Sequence, residues 1–165
     1  MRFRKIVPGR WVAVALTAVL AVMAPWEVIG AERDLSTGQT LYVPVYSHIY
    51  SGDRERPVYL AVTLSIRNTD PNRTIQVTRV DYYNSQGQPI QRYQENPITL
   101  APLATVRYVV KESDKSGGSG ANFVVRWQSA APVNPPLAES IMISTASQLG
   151  ISFTSRAVVL EQPTP

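Results

Sequence analysis

The chain of 165 residues has no cysteine and a single histidine, His48. Without cysteine there is no disulfide and no thiolate, so stability has to come from packing. With one histidine besides, a zinc site would need an unusual carboxylate-rich ligand set and is rejected. Ser-His-acid chemistry would have to pass through His48, which lies in the polar stretch "SHIY", and no serine stands in a G-x-S-x-G elbow. Also missing are any convincing run at helical spacing and any apolar run of about twenty residues, the length a spanning helix needs.

What is present begins with a leader. The first ten residues carry Arg2, Arg4, Lys5 and Arg10 and no acid, and Trp11 to Ala24 is apolar except for Thr17. A basic segment followed by a short hydrophobic one reads as a secretory signal, with cleavage expected after Ala31; an uncleaved anchor running on across Pro25 and Glu27 is the alternative. Residues 1–31 are therefore assigned as signal peptide, 32–40 as a polar tether, 41–160 as the folded domain and 161–165 as a tail. Removing residues 1–31 takes four bases and Glu27 from totals of 16 and 12, which leaves 12 and 11. That near-neutral remainder has no basic run to neutralise a row of phosphates, so nucleic acid is not an expected partner. The expected location is periplasmic or extracellular, with no stable membrane span once the leader is cut. About 134 residues remain, enough for a domain that buries around two thirds of its unfolded surface.

The folded part alternates. Leu60, Val62, Leu64 and Ile66 share one phase against Ala61, Thr63, Ser65 and Arg67, which is period two over eight residues. In "TIQVTRVDYY" the phase slips from Ile75 and Val77 to Val80 and Tyr82, the signature of a bulge near Thr78 and Arg79. Val106, Tyr108 and Val110 form another set, as do Phe123, Val125 and Trp127, and Ile151, Phe153 and Val159 fall in phase near the end. "LYVPVY" reads as an edge strand because Pro44 removes a backbone donor; "SHIYSGDRERP" reads as a polar loop. "NTDPNR" is a turn in which Asp70 bonds its own backbone, Pro71 presets φ and Asn72 tolerates a positive φ. Roughly eight short strands separated by turn signals predict an all-β fold, a single antiparallel β-sandwich of immunoglobulin-like type.

The segment "SDKSGGSGANFVVRW" raises the question of a phosphate cradle. Such a loop needs a helix N-terminus behind its glycines, with Lys and Ser or Thr at its start. Here Lys115 precedes the glycines and a β run follows, so the reading is a flexible connection between two strands. The small residues Gly120, Ala121 and Asn122 admit close approach of another backbone. Ser113, Asp114, Gly117, Gly118, Gly120 and Asn122 are accordingly taken as a candidate interaction loop. "DPN" at Asp70 lacks the glycine and distal glutamate of a calcium loop. Asp81, Glu95, Glu112, Asp114 and Glu139 show no spacing that singles out a catalytic pair. Asp81, between Val80 and Tyr82, would need an arginine such as Arg79 or Arg126 if buried. Tyr82, Tyr83, Tyr93, Tyr108 and Trp127 could offer a stacking platform to sugars, but Trp127 in phase with Phe123 and Val125 points to a core position. No cofactor is expected.

The stretches "VDYYNSQGQPIQRY", "SGGSGANFVVRW" and "ESIMIS" with "GISFTSRA" together resemble the DUF3124 family of exported bacterial proteins, over about Tyr42 to Arg156. "GGSGANFVVRW" is the most specific block. The resemblance implies a small exported bacterial domain and carries over no activity, cofactor or catalytic residue. The functional expectation is a non-enzymatic exported module that contacts an unknown protein or envelope component through a strand edge or end loops. A small-ligand or carbohydrate binder using the tyrosines and the Ser113–Asn122 loop is the alternative, and a hydrolase with an unrecognised acid pair a third.

Overall fold

The computed structural model describes residues 34–145 and 150–163; the expected leader, residues 1–31, lies outside them. Twelve strands run in chain order: β1 Ser36–Pro44, β2 His48–Ser51, β3 Arg56–Tyr59, β4 Ala61–Arg67, β5 Ile75–Tyr83, β6 Pro89–Gln94, β7 Ile98–Leu100, β8 Thr105–Val110, β9 Asn122–Val133, β10 Leu137–Ser144, β11 Ile151–Arg156 and β12 Val158–Glu161. The all-β expectation holds. One antiparallel sheet is ordered β12-β1-β9-β5-β6, with β7 also on β5, and a second is ordered β11-β10-β4-β8. Between them a single core collects the residues whose alternation marked them: Leu60, Val62, Leu64 and Ile66 from one sheet, and Ile75, Val77, Val80, Tyr82, Phe123, Val125 and Trp127 from the other. Truncating a buried aromatic such as Phe123 in a core of this kind costs roughly 3–5 kcal/mol.

The phase slip in β5 is a bulge. Val77 faces Trp127 and Arg79 faces Arg126, leaving Thr78 as the extra residue. Its hydroxyl donates to the Arg126 carbonyl at 3.1 Å. With the bulge both halves of β5 point their apolar residues inward.

Four expectations need correction. The segment 32–40 is not all tether, because β1 begins at Ser36. Polar residues are buried there rather than apolar ones: Trp127 Nε1 donates to Gln39 Oε1 at 3.3 Å, and Gln39 Nε2 donates to Gln162 at 2.8 Å. Nor is β1 an edge, since it lies between β12 and β9. Pro44 is tolerated because its pairing with Asn122 is on the β9 side, while β12 reaches only to Tyr42. Its carbonyl accepts from the hydroxyls of Ser140, at 2.9 Å, and Ser155, which ties β1 to the opposite sheet. The "polar loop" at 47–57 is a hairpin, β2 against β3, closed by Gly52 and Glu55, both with positive φ. Finally, the last alternating run breaks at Ala157, so that β11 pairs with β10 and β12 crosses to β1; Glu161, placed in the tail, ends that strand.

The "NTDPNR" turn forms as the residue types dictate, with one difference: positive φ among the described non-glycine residues occurs at Glu55 and Leu103, not Asn72. Asp70 Oδ1 accepts from the amides of Asn72 (2.9 Å) and Arg73 (3.0 Å), and Oδ2 accepts from Asn134 (3.2 Å). These amides, that of Asn72 foremost, outweigh burial and hold the carboxyl below its ordinary value of 3.8. A depressed carboxylate contributes stability above the unfolded value, and that contribution is lost as pH falls through the folded value. Asp70→Asn should therefore lower the melting temperature at pH 7, and the gap to wild type should close as pH drops below about 3.8. Thermal denaturation across pH 2–7 checks this; a gap that stays constant would contradict it.

Candidate functional site

The glycine loop crosses from β8 in one sheet to β9 in the other. Its backbone is docked on the end of the sandwich. Ser47 N donates to the Gly118 carbonyl at 3.0 Å, Val45 N to that of Ala121 at 2.9 Å, and Ser85 N to that of Gly117 at 2.9 Å. Ser85 Oγ also donates to the Gly117 carbonyl (3.1 Å) and accepts from Gly120 N (2.9 Å). Gly118 takes φ +80°, a region glycine enters without penalty. Gly117 is required for a different reason: a Cβ there would lie 1.9 Å from the Tyr82 hydroxyl and 2.6 Å from Ser47 Oγ. Those two hydroxyls share a hydrogen bond of 2.8 Å. The close approach expected at Gly120, Ala121 and Asn122 is thus tightest at Gly117, and the protein's own chain makes it; a Cβ at Gly120 would meet Ser85 only at 3.4 Å.

Of the six loop residues proposed for interaction, Gly117 and Gly118 are committed by their carbonyls and Gly120 by its amide. Asn122 is buried and paired with Pro44 on one side and Tyr83 on the other. Ser113 and Asp114 stand apart from this clamp. They line a notch with Gln91, Tyr93, Val109 and Lys111, between the β6 edge of one sheet and the β8 edge of the other. Asp114 Oδ1 accepts from the Ser116 amide at 2.9 Å and from its hydroxyl at 2.5 Å. Burial, with the Asp114 charge behind it, pushes the Tyr93 phenol above its ordinary value, so it acts here as a neutral group.

The tyrosines do not form one platform. Tyr82, Tyr108 and Trp127 are core residues. Tyr93 packs edge-on against Tyr82, Tyr108 and Phe123, with centroids 6.3, 6.0 and 5.5 Å away. A second aromatic group, absent from the sequence reading, sits on the β2–β3 hairpin. His48 stacks edge-on against Tyr50 and Tyr59, and Lys115 Nζ lies 4.2 Å from the Tyr59 ring centroid. Alternation gave no warning of it because the hairpin buries neither face completely.

Among the acids, Asp81 is buried with Arg79 Nε on one oxygen and Arg92 Nε, at 3.1 Å, on the other. Arg79 was one of the two partners anticipated; Arg92 arrives from β6, opposite Asp81 in register. Glu139 pairs with Arg67 at 3.4 Å. Both carboxylates are thus engaged by guanidinium groups.

One sheet edge among the described residues is both apolar and exposed. Among the described residues strand β12 ends its sheet, pairing with β1 alone. Its Val158, Val159 and Leu160 are 60%, 47% and 55% exposed. Natural edges are usually guarded by charge; here Glu161, the last residue of the strand, is its one charged residue and leaves the three apolar residues uninterrupted.

A family model described as "Protein of unknown function (DUF3124)" matches residues 38–160. The chain belongs to the DUF3124 family. The match takes in every strand but the first two residues of β1 and the last of β12, so the docked glycine block and the open β12 edge both lie in the DUF3124 domain. No curated protein matches the sequence. Among solved structures, the crystal structure of Thermotoga maritima 1070 is similar, with a TM-score of 0.46 at 10% identity over 76% of this chain and 97% of that one. A likeness of that degree carries no functional argument. Among the described residues of the DUF3124 chain, no helix is long and apolar enough to cross a membrane.

The clamp makes a specific demand. Gly117→Ala should destabilise the fold by about 2–3 kcal/mol, the upper range for overpacking, because backbone and buried hydroxyls both have to move. Tyr82→Phe alone should cost about 1 kcal/mol for the lost hydrogen bond. In the double variant the penalties should fall short of their sum, since the nearest of the clashing atoms is gone and only Ser47 Oγ at 2.6 Å and Tyr82 Cζ at 2.7 Å remain. Denaturant unfolding of the four proteins measures this; simple additivity would show that the loop does not rest on Tyr82.

Proposed function

We propose that this protein is an exported, non-enzymatic β-sandwich module of immunoglobulin-like type that binds a partner polypeptide by adding a strand of that partner to the β12 edge. The observation that carries the reading is the run Val158, Val159 and Leu160, exposed on a strand whose second hydrogen-bonding flank is free among the described residues. Main-chain pairing supplies affinity in such an arrangement and alternate side chains supply specificity. Export rests on the basic and apolar order of residues 1–24 and on the family resemblance. The non-enzymatic character rests on the engagement of Asp81 and Glu139 by arginines and on the position of the glycine block, whose carbonyls face inward. A ligand-binding role for the Tyr93 and Asp114 notch is the second reading, favoured by its mix of one aromatic ring with Gln91, Lys111 and Asp114.

A photoreactive residue at position 160, introduced into the protein in its own cells, should give a discrete crosslinked species in an envelope or secreted fraction. The same probe at Gln128, on the outer face of β9, should not. Val158→Lys, which adds a charged guard to the edge, should abolish the crosslink while leaving the melting temperature within about 2 °C of wild type, as surface substitutions do. Equal crosslinking at both positions, or crosslinking indifferent to the lysine, would sink the edge reading. Recovery of the protein only from the cytosol would sink the export reading separately.

A further inference from the structure

The bulge in β5 also arranges charge. Arg79 stands directly opposite Arg126 of β9. Facing residues of an antiparallel pair project from the same side of the sheet, and like charges so placed are destabilising. Alternation along β9, with Phe123, Val125 and Trp127 buried, turns Arg126 to the outer face, where it is exposed. Asp81 offsets the charge of Arg79 only in part, because its carboxylate is divided between Arg79 and Arg92. Among the described residues Arg126 makes no ion pair. Two arginines thus share one buried acid, and the third, on the next strand, is left without one.

Next to Arg126 the sheet surface is concave. A groove of ≈ 450 Å³ runs over β12, β1, β9 and the bulge, with Gln39, Thr40, Thr78, Gln128 and Glu161 among its lining residues. Glu161 is the one acid there, and its carboxylate accepts the Thr40 hydroxyl at 3.0 Å without reaching Arg126. We propose that Arg126, which lines this groove, binds an oxyanion group, a phosphate or a carboxylate borne on a small molecule, there. The planar guanidinium fork matches the geometry of either group. Thr78 and Gln128 add neutral polar groups, and an anion on Arg126 offsets the positive charge that the bulge sets opposite Arg79. This site is independent of strand addition at β12.

Thermal denaturation in sodium phosphate and in sodium galacturonate, each against sodium chloride at matched ionic strength, tests it. At least one of the two anions should raise the wild-type melting temperature above that in chloride and in a saturable manner, and their ranking tells phosphate from carboxylate. Arg126→Gln should melt higher than wild type in chloride, because the like-charge contact is gone, and should bind the anion at least tenfold more weakly. Arg126→Lys should retain part of the response. In the wild-type protein, without recourse to any variant, the amide resonances of Thr78, Arg79, Arg126 and Gln128 should shift saturably with the same anion. Equal melting in all three salts, shifts confined to other residues, or an Arg126→Gln protein that responds as wild type does would each overturn the proposal.

Discussion

The contact between Gly117 and the Tyr82 hydroxyl sets the terms for the rest of the molecule. Tyr82 is a fully buried residue of β5, and its hydroxyl is bonded to Ser47, just past the end of β1. The loop that carries the chain from one sheet to the other lies directly on that pair, at a distance that leaves no space for a side chain. From there Ala121 and Asn122 deliver Phe123 into the core, and β9 takes its place between β1 and β5. Because β9 is the strand on which both neighbours register, an error at the loop would propagate across the sheet. The phenol is held above its ordinary value chiefly by burial, so it remains a neutral hydrogen-bonding group at any physiological pH.

That arrangement explains why the most distinctive stretch of the sequence is a poor candidate for recognition. Glycines permit close approach of another backbone or of a ligand with equal ease. In this chain Ser85, reaching from the β5–β6 turn, accepts the Gly120 amide and donates to the Gly117 carbonyl. What is left for partners are surfaces on which nothing in the fold is resting: the outer flank of β12, the groove beside it with Arg126, and the notch holding Asp114. All three sit on sheet edges or outer faces, where side chains can change without disturbing the core.

Much of the fold was legible because burial on one face imposes alternation. Leu60 to Ile66 and Phe123 to Trp127 read correctly, and so did the bulge, since a single extra residue in β5 is visible as a phase change between Val77 and Val80. Three elements were not legible, each for a physical reason. The start of β1 buries Ser36 and Gln39 through hydrogen bonds to Gly38 and Trp127, so no apolar pattern announces it. The β2–β3 hairpin is only half buried and gains its packing from aromatic edges at His48, Tyr50 and Tyr59. β12 is exposed on both faces, and its departure to the other sheet at Ala157 depends on a long-range bond, from Ala157 N to the Ala138 carbonyl at 3.0 Å. For the site, composition could mark the glycines but not what they touch. Arg79 could be guessed for Asp81 because it is two residues away on the same face; Arg126, the other residue anticipated, faces Arg79 instead, and Arg92 reaches Asp81 only through strand register.

Amide hydrogen exchange of Ser47, Ser85 and Gly120 tests the central claim most directly, namely that the glycine block is a docked part of the fold. These amides donate to Gly118, to Gly117 and to Ser85 Oγ respectively. The account predicts protection approaching that of the core amides of β9, because opening the clamp requires disturbing the Tyr82 region. Exchange as fast as that of an exposed turn would contradict it and return the loop to the role of a free connection available to partners.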